Sequence, residues 1–258
     1  MKSGDVISFK GMKNGCRGCL CFAGGIDVPI VMNSRSTHVR SKFGGFEGRA
    51  LKTCDIVKVG DPAPLWSRLD GFAMPAELNP MPAPDAPLAI ITGLQDDAFT
   101  AEGKKILFES EYTITAESDR MGCRLDGPEV AHTEKGADIV SDGIPLGAVQ
   151  IPGSNKPIIM LADRQTTGGY TKIGVLTPLS MEAIVQKMPG TKVRFRKATV
   201  EEGTAELRRV ADAIKQLREL RFALVSRPCA APSASAPLAG SMRLTFNGTS
   251  YNVTYEEI

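Results

Sequence analysis

Three short apolar runs between residues 136 and 178 constrain the fold more than any other part of the chain. Leu146–Ile151, Pro157–Ala162 and Lys172–Thr177 have the length of β-strands. Pro152–Asn155 supplies a turn after the first run, so the first two runs are expected to pair as a hairpin. The connections are too short to hold crossover helices, so a parallel sheet with alternating helices is not expected. The pattern therefore predicts a mainly β protein.

The loop after the second run gathers polar side chains. The hairpin would return Asp163 to the side of residues 141–143, and the loop of residues 164–170 leaves from that same end. This loop supplies a guanidinium, an amide, two hydroxyls and a phenol, and its Gly168-Gly169 pair permits positive φ or the close approach of a ligand. It is therefore a candidate ligand-binding rim. The alternative interpretation is an ordinary surface loop that an Asp163–Arg164 ion pair braces.

Several motifs resemble the allophanate hydrolase subunit 2 family. The clearest is ADRQTTGGYTKIG at residues 162–174, preceded by SDGIPLGAVQIPG at residues 141–153. Further similar stretches are AGGIDVPIVMNSRST (Ala23–Thr37), GGFEGRALKTCD (Gly44–Asp55), YTITAESDRMGCRLDGP (Tyr112–Pro128) and PGTKVRFRKATVEE (Pro189–Glu202). The resemblance covers about Gly4 to Arg221. It implies cyclophilin-like β-barrel subdomains with a C-terminal helix.

The same resemblance implies where the site residues lie. The Asp163–Tyr170 loop, with Gln150 and Lys172 near it, is expected to face the ligand. Asp163, Arg164 and Lys172 are the predicted catalytic residues, with Asp163 acting as a base or, as we favour, orienting Arg164. The predicted cofactor-binding residues are Gln150, Gln165, Thr166, Thr167, Gly168, Gly169 and Tyr170. Arg164 and Lys172 can hold a carboxylate or a carboxybiotin oxygen by charge-assisted hydrogen bonds, and no metal site is predicted.

Three functions are compatible with this family. KipA-like proteins, the C subunit of the bacterial 5-oxoprolinase and one half of the urea carboxylase carboxyltransferase domain all belong to it. The chain is thus expected to be a subunit of an ATP-dependent 5-oxoprolinase-type complex, or of a biotin-dependent carboxyltransferase acting on a small amide or lactam. The alternative is a KipA-like regulator without enzymatic activity. No nucleotide-binding glycine pattern is present, so ATP is expected on a partner.

The expected partners follow from the same family. They are a subunit 1 (KipI-like) protein, a biotin carboxylase or biotin carrier, a LamB/YcsF-like subunit, and the small amide substrate. The net charge of +2 gives no sign of nucleic-acid or membrane binding. Cys16, Cys19 and Cys21 are predicted to be reduced thiols rather than a metal site, with Cys19 and Cys21 in a core strand, which favours the cytoplasm.

The chain is expected to divide into three parts. Residues 1–222 would form the carboxyltransferase-like domain, without the N-terminal segment that relatives carry, and with Cys123 at a position that is often tyrosine. Residues 227–241 have the composition of a flexible Ala/Pro linker. Residues 242–258 resemble the first hairpin of a biotinyl carrier domain around Asn247-Gly248, and this hairpin is expected to lack a partner sheet.

Two helices are predicted near the end of the main domain. Ser180–Met188 is the first, with Ser180 as its N-cap. Thr199 and Glu202 form a capping-box pattern that opens the second helix, which is expected to reach about Phe222. Its apolar stripe consists of Leu207, Val210, Ile214 and Leu217.

Overall fold

The computed structural model describes residues 4–11, 15–61, 69–225, 240–246 and 249–255, the last two ranges as backbone only. These residues fall into two compact units, one of residues 15–17 and 74–218, and the other of residues 18–73 with both terminal segments. The strands are β1 (Val6–Phe9), β2 (Leu88–Thr92), β3 (Glu111–Ile114), β4 (Gly122–Asp126), β5 (Asp138–Gly143), β6 (Ala148–Gln150), β7 (Ile158–Met160), β8 (Thr167–Tyr170), β9 (Lys172–Leu176), β10 (Lys192–Ala198), β11 (Gly240–Phe246) and β12 (Thr249–Tyr255). The α-helices are α1 (Ala101–Glu109), α2 (Pro178–Ile184) and α3 (Val200–Val225).

The unit of residues 74–218 is built around a closed seven-stranded barrel. Its strand order is β10-β2-β9-β6-β7-β4-β3, and every pair is antiparallel except the parallel β2–β10 pair. The predicted hairpin is confirmed, because β6 pairs with β7 through Val149 opposite Ile159. The prediction of a mainly β, barrel-containing protein with a C-terminal helix is likewise confirmed.

Alternating side chains fill the barrel. Along β10, Val193 and Phe195 are buried while Lys192, Arg194 and Arg196 beside them are exposed, as a period of two requires. Val149, Ile159 and Ile173 join them in one continuous core cluster. Each fully buried side chain of this size stabilises the folded state by about 1.5–3 kcal/mol. Side chains adjacent to these inward residues along the strands face the outside of the barrel.

Both smaller helices have side-chain or proline signals at their starts. Thr100 caps α1 by accepting a hydrogen bond from the Gly103 amide at 2.9 Å. The predicted cap at Ser180 is wrong, because α2 begins at Pro178, whose fixed φ suits the first turn. Ser180 lies inside that helix and accepts a hydrogen bond from the Ala89 amide of β2 at 2.8 Å, which joins the helix to the barrel.

Helix α3 begins where the capping pattern predicts. Thr199 accepts a hydrogen bond from the Glu202 amide at 3.2 Å, while the Glu202 carboxylate pairs with Arg196 at 2.7 Å rather than closing the box. The residues of α3 that are buried are Gly203 and Ala213. Of the predicted apolar stripe, Leu207 and Ile214 are exposed, and Val210 and Leu217 are half-buried.

The other unit contains a sheet that joins the two terminal segments. β11 and β12 form the predicted hairpin, but β11 begins at Gly240, inside the range expected for the linker. The rest of that linker up to residue 239, and the Asn247-Gly248 turn, lie outside the described residues. β1 pairs with β11 in parallel register, Val6 opposite Arg243, so the expectation of a hairpin without a partner strand is wrong.

The cysteine-containing stretch does not form the predicted core strand. Cys19 and Cys21 are exposed, and the segment around them has no regular strand. An isolated bridge between Ile26 and Val59 is the pairing that the structure shows nearby. Among the described helices, none combines the length and apolar composition needed to cross a bilayer.

Candidate functional site

The predicted ligand-binding loop is partly a strand. Thr167–Tyr170 forms β8, which pairs with β5 as a two-stranded ribbon with Asp142 opposite Gly168. The Ile144 amide donates to the Thr166 carbonyl at 2.9 Å and continues the pairing by one step. The residues that lie beside residues 142–144 are therefore 166–168. Asp163 comes before them, separated from Thr166 by residues 164 and 165.

The ribbon adjoins the outer face of the barrel. Ile144, Ala148 and Met160 form a small apolar cluster of their own, apart from the main core that holds Val149. Because side chains alternate along β6, Gln150 points to the same outer side as Ala148. Gln150 is in register with Lys172 of β9. The outer face thus presents a carboxamide and an ammonium next to the ribbon.

Lys172 has an unusual environment for a lysine, because its side chain is fully buried. Its Nζ lies 3.4 Å from Oδ2 of Asp142, whose side chain is 55% exposed. A buried ammonium needs a partner, and this carboxylate supplies it. The two members of the pair therefore differ in burial: the ammonium is enclosed beneath the ribbon, and the carboxylate reaches solvent.

Asp142 is held as a carboxylate by several donors. Its Oδ1 accepts from the Gly143 amide at 2.6 Å, and its Oδ2 accepts from Lys172 and from Nε2 of Gln95 at 3.2 Å. These donors, chiefly the Gly143 amide and then Lys172, hold the pKa of the Asp142 carboxyl below its usual range. The negative charge opposite Lys172 is therefore maintained at neutral pH.

Gln150 carries an unsatisfied donor. Its side chain is 2% exposed, and Nε2 has no hydrogen-bond partner among the described residues. A Cβ on Gly168 would lie 3.4 Å from this Nε2, 3.5 Å from Nε2 of Gln165, and only 2.7 Å from Cδ1 of Ile144. A side chain at position 168 would therefore have to displace the end of the Ile144 side chain, and two carboxamide groups approach the same point. A buried amide without an acceptor costs free energy unless a ligand or another group supplies one.

Asp163 and Arg164 lie where the chain approaches β8, and each has partners other than its neighbour. Asp163 forms a two-point ion pair with Arg120, with Nε–Oδ2 and Nη2–Oδ1 distances of 2.7 and 2.9 Å. The Arg164 guanidinium donates from Nε to the Ile144 carbonyl at 2.9 Å and from Nη1 to the Leu161 carbonyl at 3.4 Å. These carbonyls orient Arg164, the role that the sequence analysis favours for Asp163.

The predicted residues therefore divide into two groups. Gln150 and Lys172 lie beneath the ribbon, where Gln150 approaches Gly168 of β8. The exposed side chains of the loop and of β8 come from Gln165, Thr166, Thr167 and Tyr170, with Gly169 half-buried between them. Gln95, Asp142 and Arg120 complete these contacts but are not among the predicted site residues. Arg120 lies inside a motif that resembles the family, so a signal for it is present, whereas Gln95 has none. In the described part of the chain, no group of three or more His, Cys, Asp or Glu residues is placed to hold a metal ion.

Comparison with known proteins places the chain in a family. Residues 1–197 match the family model for the carboxyltransferase domain, subdomain A and B. The chain is 33% identical over 209 residues to the C subunit of 5-oxoprolinase from Haemophilus influenzae, and 32% identical over 202 residues to that from Escherichia coli. These matches cover 81% and 78% of this chain, which spans 64% and 63% of the length of those two proteins.

The other similar proteins are much longer than this chain. Saccharomyces cerevisiae urea amidolyase is 25% identical over 281 residues, a match that covers 100% of this chain and 15% of that protein. The structure of the Kluyveromyces lactis urea amidolyase superposes with a TM-score of 0.61 at 25% identity, over 86% of this chain and 14% of that one. The Kluyveromyces lactis urea carboxylase structure, at 23% identity, shares the fold with a TM-score of 0.66, over 95% of this chain and 23% of that one. The chain therefore belongs to the carboxyltransferase-domain family that comprises subdomains A and B.

Proposed function

We propose that this protein is the carboxyltransferase-type component of an enzyme complex that acts on a small amide or lactam, of the kind represented by 5-oxoproline or urea. The observation that carries the proposal is the buried Lys172, paired with Asp142 and in register with the unsatisfied carboxamide of Gln150. The similarity to the C subunit of 5-oxoprolinase and to urea amidolyases supports the substrate class.

An amide or ureido group matches these side chains chemically. Its carbonyl oxygen needs donors, which Gln150 Nε2 and the Lys172 ammonium can supply, and its N–H groups need acceptors, which the Asp142 carboxylate and the threonine hydroxyls provide. Lys172 is enclosed, so its charge acts in a medium of low dielectric constant. Negative charge that develops on a carbonyl oxygen there is stabilised more than it would be in water.

Biotin is the cofactor that the proposal includes. Its ureido ring presents one carbonyl and two N–H positions, and the carboxamides of Gln150 and Gln165, which both approach Gly168, offer donors and acceptors of the kinds it needs. Thr166, Thr167 and Tyr170 would line the exposed side of the ring. When bound in carboxylated form, biotin would supply the carboxyl group to be transferred. The residues of this chain would orient the two reactants and exclude water.

The remaining components are proposed on other chains. ATP would be used by a partner, and the proposed partners are a subunit 1 (KipI-like) protein with a biotin carboxylase, a biotin carrier or a LamB/YcsF-like subunit. We also propose a cytoplasmic location, because the five cysteines of the described ranges are free thiols, which suits a reducing compartment.

The test is to replace Lys172 in the reconstituted complex. Lys172→Met keeps the volume of the buried side chain and removes its charge, and we expect turnover of 5-oxoproline or urea to fall by about 100-fold or more. Lys215→Met, an exposed lysine of α3, is the matched control and should leave turnover unchanged. Melting temperature and partner binding are measured in parallel for all variants.

The contrary result is equally specific. Full turnover by a folded, partner-bound Lys172→Met complex would show that the ribbon site is not where the reaction occurs. Retention of partner binding together with an absence of turnover in the wild-type complex would favour the KipA-like regulator.

A further inference from the structure

We propose that Gln95 is the positioning residue of the site, holding the Lys172 backbone and the Asp142 carboxylate in register through one carboxamide. The inference rests on the proposed function only for its effect on turnover. Its structural part concerns the geometry of the Lys172–Asp142 pair and is tested separately.

Gln95 reaches the pair because β2 ends in a sharp turn. Gly93 and Leu94 have φ values of 144° and 63°, so the chain leaves the strand direction directly after Thr92. The Gly93 amide still donates to the Ile173 carbonyl at 3.3 Å, and the Gln95 amide donates to the Lys172 carbonyl at 3.0 Å. Gln95 therefore continues the pairing of β2 with β9 beyond Gly93, at the level of Lys172.

The side chain of Gln95 makes two hydrogen bonds in addition to the one made by its backbone amide. Its Oε1 accepts from the Lys172 amide at 3.1 Å, and its Nε2 donates to Oδ2 of Asp142 at 3.2 Å. Oxygen and nitrogen of one carboxamide are fixed in a plane, so the position of Asp142 is linked to the backbone of Lys172 through a single rigid group. Gln95 thereby connects the end of the barrel strand to the ribbon.

The pair needs this support because its direct contact is long. The Lys172 Nζ to Asp142 Oδ2 distance of 3.4 Å is at the upper end of hydrogen-bond geometry, and the Asp142 side chain is half exposed. Without the Gln95 amide, the carboxylate would be free to turn towards water and leave the buried ammonium uncompensated. Gln95 does not need to touch the substrate, because it acts through Asp142 and Lys172.

Two substitutions separate positioning from simple support of the strand. Gln95→Glu keeps an acceptor for the Lys172 amide but replaces the donor to Asp142 with a second carboxylate oxygen. Gln95→Met removes both interactions. If Gln95 only completes the strand, the glutamate variant behaves as wild type. If it positions Asp142, the glutamate and methionine variants fail alike.

The first measurement does not require turnover. The full chain is treated with ¹³C-formaldehyde and a reducing agent, and methylation of Lys172 is followed by peptide mass spectrometry. We expect Lys172 to be protected in wild type and in Gln216→Met, whose glutamine is exposed on α3. Methylation should be about tenfold faster in both Gln95 variants, the scale of a lost hydrogen bond to a charged group.

The second measurement is steady-state kinetics in the reconstituted complex. Both Gln95 variants should lower kcat by about tenfold with KM changed less than about twofold, because an interaction felt in the transition state is weakened. Wild-type protection of Lys172 in Gln95→Glu would overturn the positioning role, whatever the turnover. Increased Lys172 methylation in both variants, with turnover at the wild-type rate, would support the role of Gln95 in positioning the Lys172–Asp142 pair. The same result would reject the proposed function.

Discussion

At the scale of residues, the distinctive feature is an ion pair with unequal burial. Lys172 is enclosed while its partner Asp142 is half exposed. Removing one member of a buried pair usually destabilises a protein strongly, because the remaining charge loses its compensation. In this pair only Lys172 is buried, so only its charge would be left without compensation. The stability of the ribbon and the charge state of Asp142 are therefore coupled.

This coupling predicts a pH dependence with a definite sign. The pKa of Asp142 is lower in the folded state than its ordinary value, so it contributes stability above that ordinary value, and the contribution is lost as pH falls through the folded pKa. Asp142→Asn should be less stable than wild type at pH 7, and the difference should shrink as pH falls below about 4. Urea midpoints measured from pH 7 to pH 3 provide the check.

The control for this prediction lies on the same strand. Asp138→Asn replaces an exposed carboxylate of β5 and should leave the midpoint nearly unchanged at every pH. A constant difference between wild type and Asp142→Asn over the whole range would show that the effect comes from packing rather than from charge.

The sequence allows some residues of the candidate site to be predicted but not their partners, for a physical reason. Gln150, Gly168 and Lys172 are predictable because they lie in two neighbouring motifs, residues 141–153 and 162–174, next to recognisable strands. Gln95 belongs to a turn whose local pattern gives no sign of its contact with Lys172, 77 positions away. Partnerships of this kind are fixed by the closure of the barrel, which no local window contains.

At the scale of elements, the strands of the barrel are easier to predict than the ribbon. The apolar runs that form β6, β7 and β9 carry branched side chains suited to a buried sheet. β8 has the sequence TGGY, and because glycine is depleted in strands, this pattern favours a loop. It pairs because β5 offers a free edge, which is a tertiary effect.

The lack of space beside Gly174 gives a prediction for β9. A Cβ on Gly174 would contact the Ile91 carbonyl oxygen and lie 2.7 Å from Cγ2 of Ile90, both on β2. Gly174→Ala should therefore lower the free energy of unfolding by about 1–3 kcal/mol through overpacking. Gly153→Ala is the control, since its Cβ would meet nothing within 4 Å. Equal denaturation midpoints for the two variants would contradict this account.

At the scale of the whole molecule, the described residues form two compact units that differ in how much regular secondary structure they contain. The barrel unit has a continuous core and holds the candidate site. In the other unit, the described residues between 18 and 61 form turns and isolated bridges, and the regular sheet comes from β1, β11 and β12. The hairpin of β11 and β12 is predictable from its turn, and β1 from its own short apolar run. The pairing of β1 with β11 is not predictable, because parallel pairing over such a distance has no local signal.

Cysteine pairing tests this sheet directly. Ser8 and Thr245 are opposite each other in the β1–β11 register. Adjacent strands are about 4.8 Å apart, close to the Cα separation that a disulfide needs, so oxidised Ser8→Cys/Thr245→Cys should give a cross-linked peptide. Ser8→Cys/Asn252→Cys is the control, because β12 lies one strand further away, at about 10 Å. Equal cross-linking in both variants would exclude the observed order.

The β1–β11 pairing also sets an order of events during biosynthesis. Val6 pairs with Arg243, so β1 leaves the ribosome long before its partner strand exists. At about 5–20 residues per second, the wait amounts to some tens of seconds. The barrel, whose strands all lie between residues 88 and 198, can close within that interval. Until β11 has been synthesised, β1 therefore presents an unpaired strand edge that other chains can pair with.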